Sequence, residues 1–240
     1  MPASPHLASR VTQLLAFLAV GAFSVLMLSK VLPYLSFAKG ILFLTTKSDA
    51  TNNNGLFRFG FYVHITSSLW VLVAGLLQLV PALYRWRPKL HRTLGKIYVV
   101  SILALAAPSG LILAGFANGG LAAKVGFAMQ CVVWWLATWQ AYRMARQRRW
   151  LPHAEWMLRA YAITLAAMSL RLESYGLHHL FHTKPIETYL TVTWLSWTGN
   201  LLLAEVLVQA GLGRWYARVF QSGNSGAAAK PADALAETTR

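Results

Sequence analysis

Apolar residues in this chain arrive in blocks separated by short polar links. The blocks run roughly Val11–Leu35, Gly60–Leu83, Pro88–Ala114, Leu121–Arg143, Pro152–Tyr175 and Thr188–Leu212. Each approaches the roughly 20 residues an α-helix needs to cross a bilayer, and several windows of that length almost lack charge. The pattern predicts an all-α fold, a polytopic transmembrane helix bundle of about six spans. The first block is too long for a signal-peptide core of about 7–15 residues and reads as a retained helix. The expected organisation is an N-terminal cytoplasmic segment (1–10), a six-helix domain (11–215) and a disordered cytoplasmic tail (216–240). The links KSDATNNNGLFRFG and GLHHLFHTKPIE are expected to be loops.

Composition strengthens this reading. The chain is 56% apolar and 12% charged, against about 25% charged in a soluble domain. Its net charge of +15 sits beside the spans, which argues for topology and lipid contact and against a nucleic-acid partner. Arg85, Arg87, Lys89, Arg92 and Lys96 flank one link, and Arg143, Arg146, Arg148 and Arg149 flank another. Arg10, Arg214 and Arg218 fall on the same side, whereas Lys39, Lys47, Arg58, Lys124 and Lys184 fall on the other. By the positive-inside rule both termini are cytoplasmic. Cys131 is the single cysteine, so no intrachain disulfide or cysteine-based metal motif exists, and it reads as a packing residue.

Polar residues inside spans are costly, and so carry most of the chemical information. Pro88 and Pro152 suit the first turn of a helix. A histidine follows each closely, His91 and His153, and the two pieces PKLHRTLGKIY and PHAEWMLRAYA faintly echo one another. Neutral imidazole is a good axial ligand for haem iron, and bundles build cofactor sites from facing helices. If the third and fifth spans are neighbours, His91 and His153 can ligate one haem b. Arg92 and Arg159 would face its propionates, and Tyr98 or Trp156 would pack on the ring. His64, near the outer end of the second span, is a candidate for an outer substrate or second haem site. The simpler alternative is that histidines at headgroup depth are half-solvated and bind nothing.

Other polar residues invite structural readings. Arg159 and Glu205 lie at nearly one depth and can neutralise each other across two helices; a proton relay or substrate site is the alternative. Asn200 is expected to bond another helix, as Gln78, Gln130 and Gln140 can. Arg171 can reach the headgroups by snorkelling. His178, His179 and His182 fit an exposed loop or an adventitious metal site. Trp86, Trp150 and Trp215 fit an interfacial belt, while Trp134, Trp135, Trp139, Trp194 and Trp197 pack within spans or line a flat-ring pocket. No phosphate-cradling loop, HExxH helix or GxSxG elbow is present, and seven carboxylates leave little for an acid-lined cation pathway.

HRTLGKIY, HAEWMLRAYAIT, SLRL and WLSWTGNLLLAE, with the His64 region and GLLQLVPAL…RPKLHR, resemble a bacterial family of predicted membrane proteins, domain of unknown function 2306. The resemblance covers about Phe61 to Val208. It implies the helical membrane fold and no particular chemistry. Its pattern falls here on His64, His91, Arg92, Gly95, Tyr98, His153, Trp156, Arg159, Arg171, Asn200 and Glu205. A looser resemblance is to six-helix, ascorbate-dependent cytochrome b proteins, which hold two haems with histidines of their four central helices. His91 and His153 suit one such pair. The fourth span has no histidine to partner His64, and His178 or His179 could substitute only from a loop end, so this departure from the pattern leaves one haem or none expected here.

Three functions follow as expectations. The first is haem b-dependent electron transfer to or from a quinone or small reductant. The second is a small transporter or a structural membrane subunit, without enzymatic activity. The third is an enzyme acting on lipid headgroups, with Arg and His groups holding phosphate.

Overall fold

The structure, a computed structural model, describes residues 5–38 and 41–219. Every regular element among them is helical. Helix α1 spans Pro5–Val31, followed by two 3-10 turns and the short α2 (Asp49–Asn52). Helix α3 spans Gly55–Gln78 and α4 Pro81–Trp86. Helices α5 (Pro88–Val100) and α6 (Ala107–Gly115) form one rod through a π-helical stretch, Ser101–Ala106. Then come α7 (Gly120–Arg146), α8 (Trp150–Thr164), α9 (Ala166–Phe181) and α10 (Pro185–Gln209).

Among the described residues four helices are long and apolar enough to cross a membrane: Phe17–Ser36, Gly55–Gln78, Pro88–Gly115 and Gly120–Arg146. The remaining two predicted blocks are helical but different in kind. The fifth is split at Leu165 into halves of 15 and 16 residues. The sixth, α10, runs 25 residues, but Glu187, Asn200, Glu205 and several Thr and Ser side chains dilute its apolar character.

Several helix boundaries differ from the expected ones. Helix α3 starts five residues before the predicted Gly60, because the Asn54 side chain accepts a hydrogen bond from the Phe57 N–H at 3.1 Å. The histidine-rich link is helical as far as Phe181, and His182 ends it in the left-handed conformation. A further helical segment, residues 212–219, follows α10, so helix continues past the predicted domain limit at 215. The N-terminal four residues, Lys39 and the tail beyond 219 lie outside the described residues.

Two interruptions shape the bundle, and each is repaired by a side chain. In the π-helical stretch the Ala107 N–H donates to the Ile102 carbonyl, five residues back. Continuing that register, residue 108 would donate to Leu103, but it is proline and has no N–H. The Trp135 indole N–H of α7 donates to the Leu103 carbonyl instead, at 3.1 Å. At the second break, Ala162 has one of the last-turn carbonyls of α8. The Asn200 side-chain amide of α10 donates to it at 3.0 Å, while Ser169 of α9 donates to Asn200 Oδ1 at 2.8 Å. One amide therefore clamps both halves of the broken helix.

The main core lies where α3, α5, α7 and α8 meet. Tyr98 is fully buried there, and its hydroxyl pairs with Thr164 at 3.3 Å. The Trp134 indole donates to the same Thr164 oxygen at 3.1 Å. Gly75 allows the closest approach: a β-carbon there would collide with the Tyr161 ring and touch Tyr98. Trp134, Trp135 and Trp197 each donate an indole N–H to a protein acceptor, so these are packing residues with satisfied polar ends.

Two substitutions test the repairs. Trp135→Phe keeps a ring but leaves the Leu103 carbonyl unbonded, and Asn200→Leu removes the clamp. Each is expected to lose about 0.6–1.7 kcal/mol, the range of interhelical hydrogen bonds in membranes. Trp139→Phe, one turn along the same face, is expected to lose less. Equilibrium unfolding in mixed detergent micelles reads the difference.

Candidate functional site

Helices α5 and α8 begin at the same end of the bundle, where α3, α7 and α10 finish. Both starts are alike. Arg87 and Arg149 are the N-cap residues, and the fourth residue of each helix is a histidine. The backbone N–H groups of His91 and His153 bond their N-cap carbonyls, each at 3.0 Å. The echo seen in the sequence is therefore an equivalent local structure in two helices.

A cavity of about 620 Å³ opens at this end, walled by α3, α4, α5, α7, α8 and the segment 212–219. Both His91 and His153 line it. The His153 Nδ1 lies 2.9 Å from the Ala141 carbonyl of α7. A carbonyl only accepts, so Nδ1 must carry the proton, and in the neutral ring Nε2 keeps its lone pair. This is the arrangement in which ligating histidines are held. The His91 ring meets Tyr84 edge-to-face at 5.5 Å, and its backbone carbonyl accepts from Gln78 Nε2 at 3.2 Å.

The charge on the wall has one sign. Arg92, Lys96, Arg146 and Arg148 line the cavity, and none of the lining residues is acidic. Arg146 donates to the Tyr142 hydroxyl at 3.0 Å and lies over that ring at 5.9 Å. The starts of α5 and α8 add the positive ends of two helix dipoles. Deeper down the wall is apolar and aromatic, through Val99, Met157, Leu158 and Tyr161.

The other candidate residues stand elsewhere. Arg159 donates from Nε and Nη2 to Glu205 Oε2, at 2.9 and 2.7 Å. Gln209 donates to the other carboxylate oxygen at 2.8 Å, and the Arg159 guanidinium lies 5.0 Å from the Trp156 ring centre. This group ties α8 to α10, and none of its members lines the cavity. Among the described residues it is the one ion pair. Tyr98 is held in the core with Thr164, behind the wall.

His64 is also apart. Its Nδ1–H donates to the Ala106 carbonyl at the end of the π-helical stretch, at 2.9 Å, and its Nε2 faces Ser68 at 3.5 Å. Arg171 is exposed and bonds the Ala167 carbonyl of its own helix. His178 and His179 sit ring to ring beside Tyr175. Among the described residues no group of three or more His, Cys, Asp and Glu side chains is placed to hold a metal ion.

Much of the wall escaped the sequence reading, although its periodicity was available. His91, Gly95 and Val99 follow at steps of four, as do His153, Met157 and Tyr161, and such residues share a helix face. Tyr84, Tyr142 and Tyr216 come from elements whose approach only the fold shows.

These features define a polytopic α-helical membrane protein with a basic, histidine-bearing cavity at one end. The chain belongs to the family described as predicted membrane protein (DUF2306), whose model matches residues 61–208. No curated protein and no solved structure matches it. The matched region begins within α3 and ends within α10, so it contains α5 and α8 with the two cavity histidines and leaves out α1.

The Arg159–Glu205 pair generates a test of its own. Arg159→Gln and Glu205→Gln are each expected to lower stability, and the double variant to lose less than the sum of the two. A double-mutant cycle from detergent unfolding measures the difference.

Proposed function

We propose that the protein binds one haem b in the basic cavity and transfers single electrons across it. The observation that carries this reading is that His91 and His153, from two helices, line one cavity. Its volume is within the roughly 300–1,000 Å³ of small-molecule and cofactor sites. The donor chemistry fits. His153 keeps an Nε2 lone pair, and imidazole is an axial haem ligand. Arg92, Lys96, Arg146 and Arg148 supply cations for two carboxylates, and no acid in the wall competes. Gly95, one turn from His91 on the same face, leaves the wall flat for a planar ring. Haem b supplies a one-electron couple at that end of the bundle. The chain's part is to hold the iron, neutralise the propionates and exclude water.

The same reading gives the topology. The α8–α9 pair is the fifth crossing and α10 the sixth, with both termini cytoplasmic in the bacterial inner membrane. A quinone or a small reductant is the electron partner. Only one haem is proposed, because His64 is committed to Ala106 and Ser68 and α7 offers no second imidazole.

One observation favours a second reading. Four cations on a wall that no acidic residue lines also suit the phosphate of an anionic lipid, in which case the site handles lipid headgroups.

An ultraviolet–visible spectrum of the detergent-purified protein, oxidised and then dithionite-reduced, tests the haem reading. A Soret band with bis-histidine features is expected. His91→Ala and His153→Ala are each expected to abolish it. Gly95→Leu is expected to abolish it with little loss of stability, since a β-carbon at 95 meets its nearest neighbour, Gln78 Oε1, at an ordinary 3.5 Å. Absence of a Soret band even after haem supplementation sinks the proposal. Retention of anionic lipid that is lost in Arg92→Gln/Arg146→Gln would then favour the lipid reading.

A further inference from the structure

The bundle matches Glu205 with Arg159 and Gln209, and that ion pair is the one among the described residues. Glu173 of α9 has no such match. Its Oε2 is buried and has no hydrogen-bond partner among the described residues. Arg171 and Tyr175 stand on either side of it in the sequence, and residues two apart on a helix do not face one another. Arg171 bonds the Ala167 carbonyl, and Tyr175 lies against His179.

A second orphan stands across from it. Ser196 of α10 is 0% exposed, and its hydroxyl oxygen also has no partner among the described residues. Helices α9 and α10 are packed against each other and run antiparallel through the short link between Phe181 and Pro185. The Ser169–Asn200 bond of 2.8 Å sets their register. One turn outward is four residues on along α9 and four back along α10, which brings Glu173 opposite Ser196. At this level α10 buries Val192, Thr193 and Trp197, none of them charged or acidic. Helix α8 has already ended at Thr164, and α1 packs against Leu165 and Met168 at the start of α9.

An ionised carboxylate is costly in hydrocarbon, the more so with no cation to offset it. One serine hydroxyl does not offset a full charge. A proton does. The neutral carboxyl has an O–H to donate, and the serine oxygen can accept it. One proton thus removes the charge and satisfies two buried oxygens together.

We propose that Glu173 and Ser196 form a proton-binding site in the seam between α9 and α10, in the half of the bundle away from the basic cavity. The proton sits on Glu173 and is shared with Ser196. Glu173 is half-buried, so the carboxyl remains reachable for exchange although Oε2 itself is covered. The site lies one turn from the Asn200 clamp across the break between α8 and α9. Loading the proton fastens the seam beside that break, and losing it leaves a charge there. None of this depends on what the cavity binds.

A hydrophobic carbodiimide reads the proton in the full chain. It reacts with a carboxyl that carries its proton: the acid adds across one C=N bond, and the adduct rearranges to a stable N-acylurea. Mass spectrometry of the detergent-purified protein then locates the label. Glu173 is expected to react at neutral pH at least about tenfold faster than the ion-paired Glu205, the effect of one unit of difference in protonation. Its rate is expected to fall as the pH rises. Glu173→Gln is expected to lose the label and keep the parent's unfolding midpoint, since an amide N–H can still donate to Ser196. No label on Glu173 at any pH, a label insensitive to pH, or equal labelling of Glu205 overturns the site. Protection by sodium at fixed pH overturns the proton assignment and makes the bound ion a metal cation.

A second arm tests the register without the carboxyl. In a Cys131→Ser background, Glu173→Cys with Ser196→Cys is expected to cross-link on oxidation. Leu172→Cys with Ser196→Cys is not, because Leu172 is exposed on the outside of the bundle. A cross-link in neither pair, or in both alike, overturns the opposition of Glu173 and Ser196.

Discussion

A backbone carbonyl inside hydrocarbon has no water to turn to, so it must find a donor within the protein. That constraint governs how this bundle is built. Regular helix satisfies most of the backbone, and each departure from it is met by a side chain from a neighbouring helix. Trp135 covers Leu103 where a proline withholds its N–H. Asn200 covers Ala162 where α8 stops. His64, His153 and Tyr161 bond the carbonyls of Ala106, Ala141 and Leu72. The polar residues that look out of place in apolar blocks are thus mostly fasteners between helices.

One fastener also prepares chemistry. The bond that ties His153 to α7 consumes Nδ1 and turns the other nitrogen into a free electron-pair donor. Packing and reactivity are therefore set by the same contact. His64 makes the corresponding bond to Ala106, but no described cavity adjoins it, and Ser68 faces its second nitrogen. Identical residue types with similar local bonds differ in potential because only one stands beside space. The cations sharpen this contrast, since Arg92, Lys96, Arg146 and Arg148 gather at the cavity and no residue lining it is acidic.

The helical blocks, the pairing of Arg159 with Glu205 and the interhelical role of Asn200 were legible from the sequence. Each follows from a local cost: apolar length, an unpaired charge or an unbonded amide in hydrocarbon. The likeness of the α5 and α8 starts was legible too, because each pairs a first-turn proline with a histidine close behind it. The breaks at Leu165 and in the π-helical stretch were not. Leu165 lies in a sequence, AITLAAM, that any helix would accept, and only its partners on α10 explain the stop. Assigning Arg159, Trp156 and Tyr98 to the neighbourhood of His91 and His153 required knowing how α8 and α5 are rotated. Its Arg159 face turns to α10, and Tyr98 faces the core rather than the wall.

Both interrupted rods carry one of the two cavity histidines, and in each the interruption separates that histidine from the opposite half. Helix α7, between them, runs unbroken for 27 residues. Pro-linked and π-helical irregularities are where helices bend. Mechanical compliance is thus concentrated at mid-bundle in the two rods that carry the cavity histidines, while α7, which also lines the cavity, acts as a stiff spine. A shape change near the imidazoles can be absorbed at those joints, leaving the far half of the protein at rest.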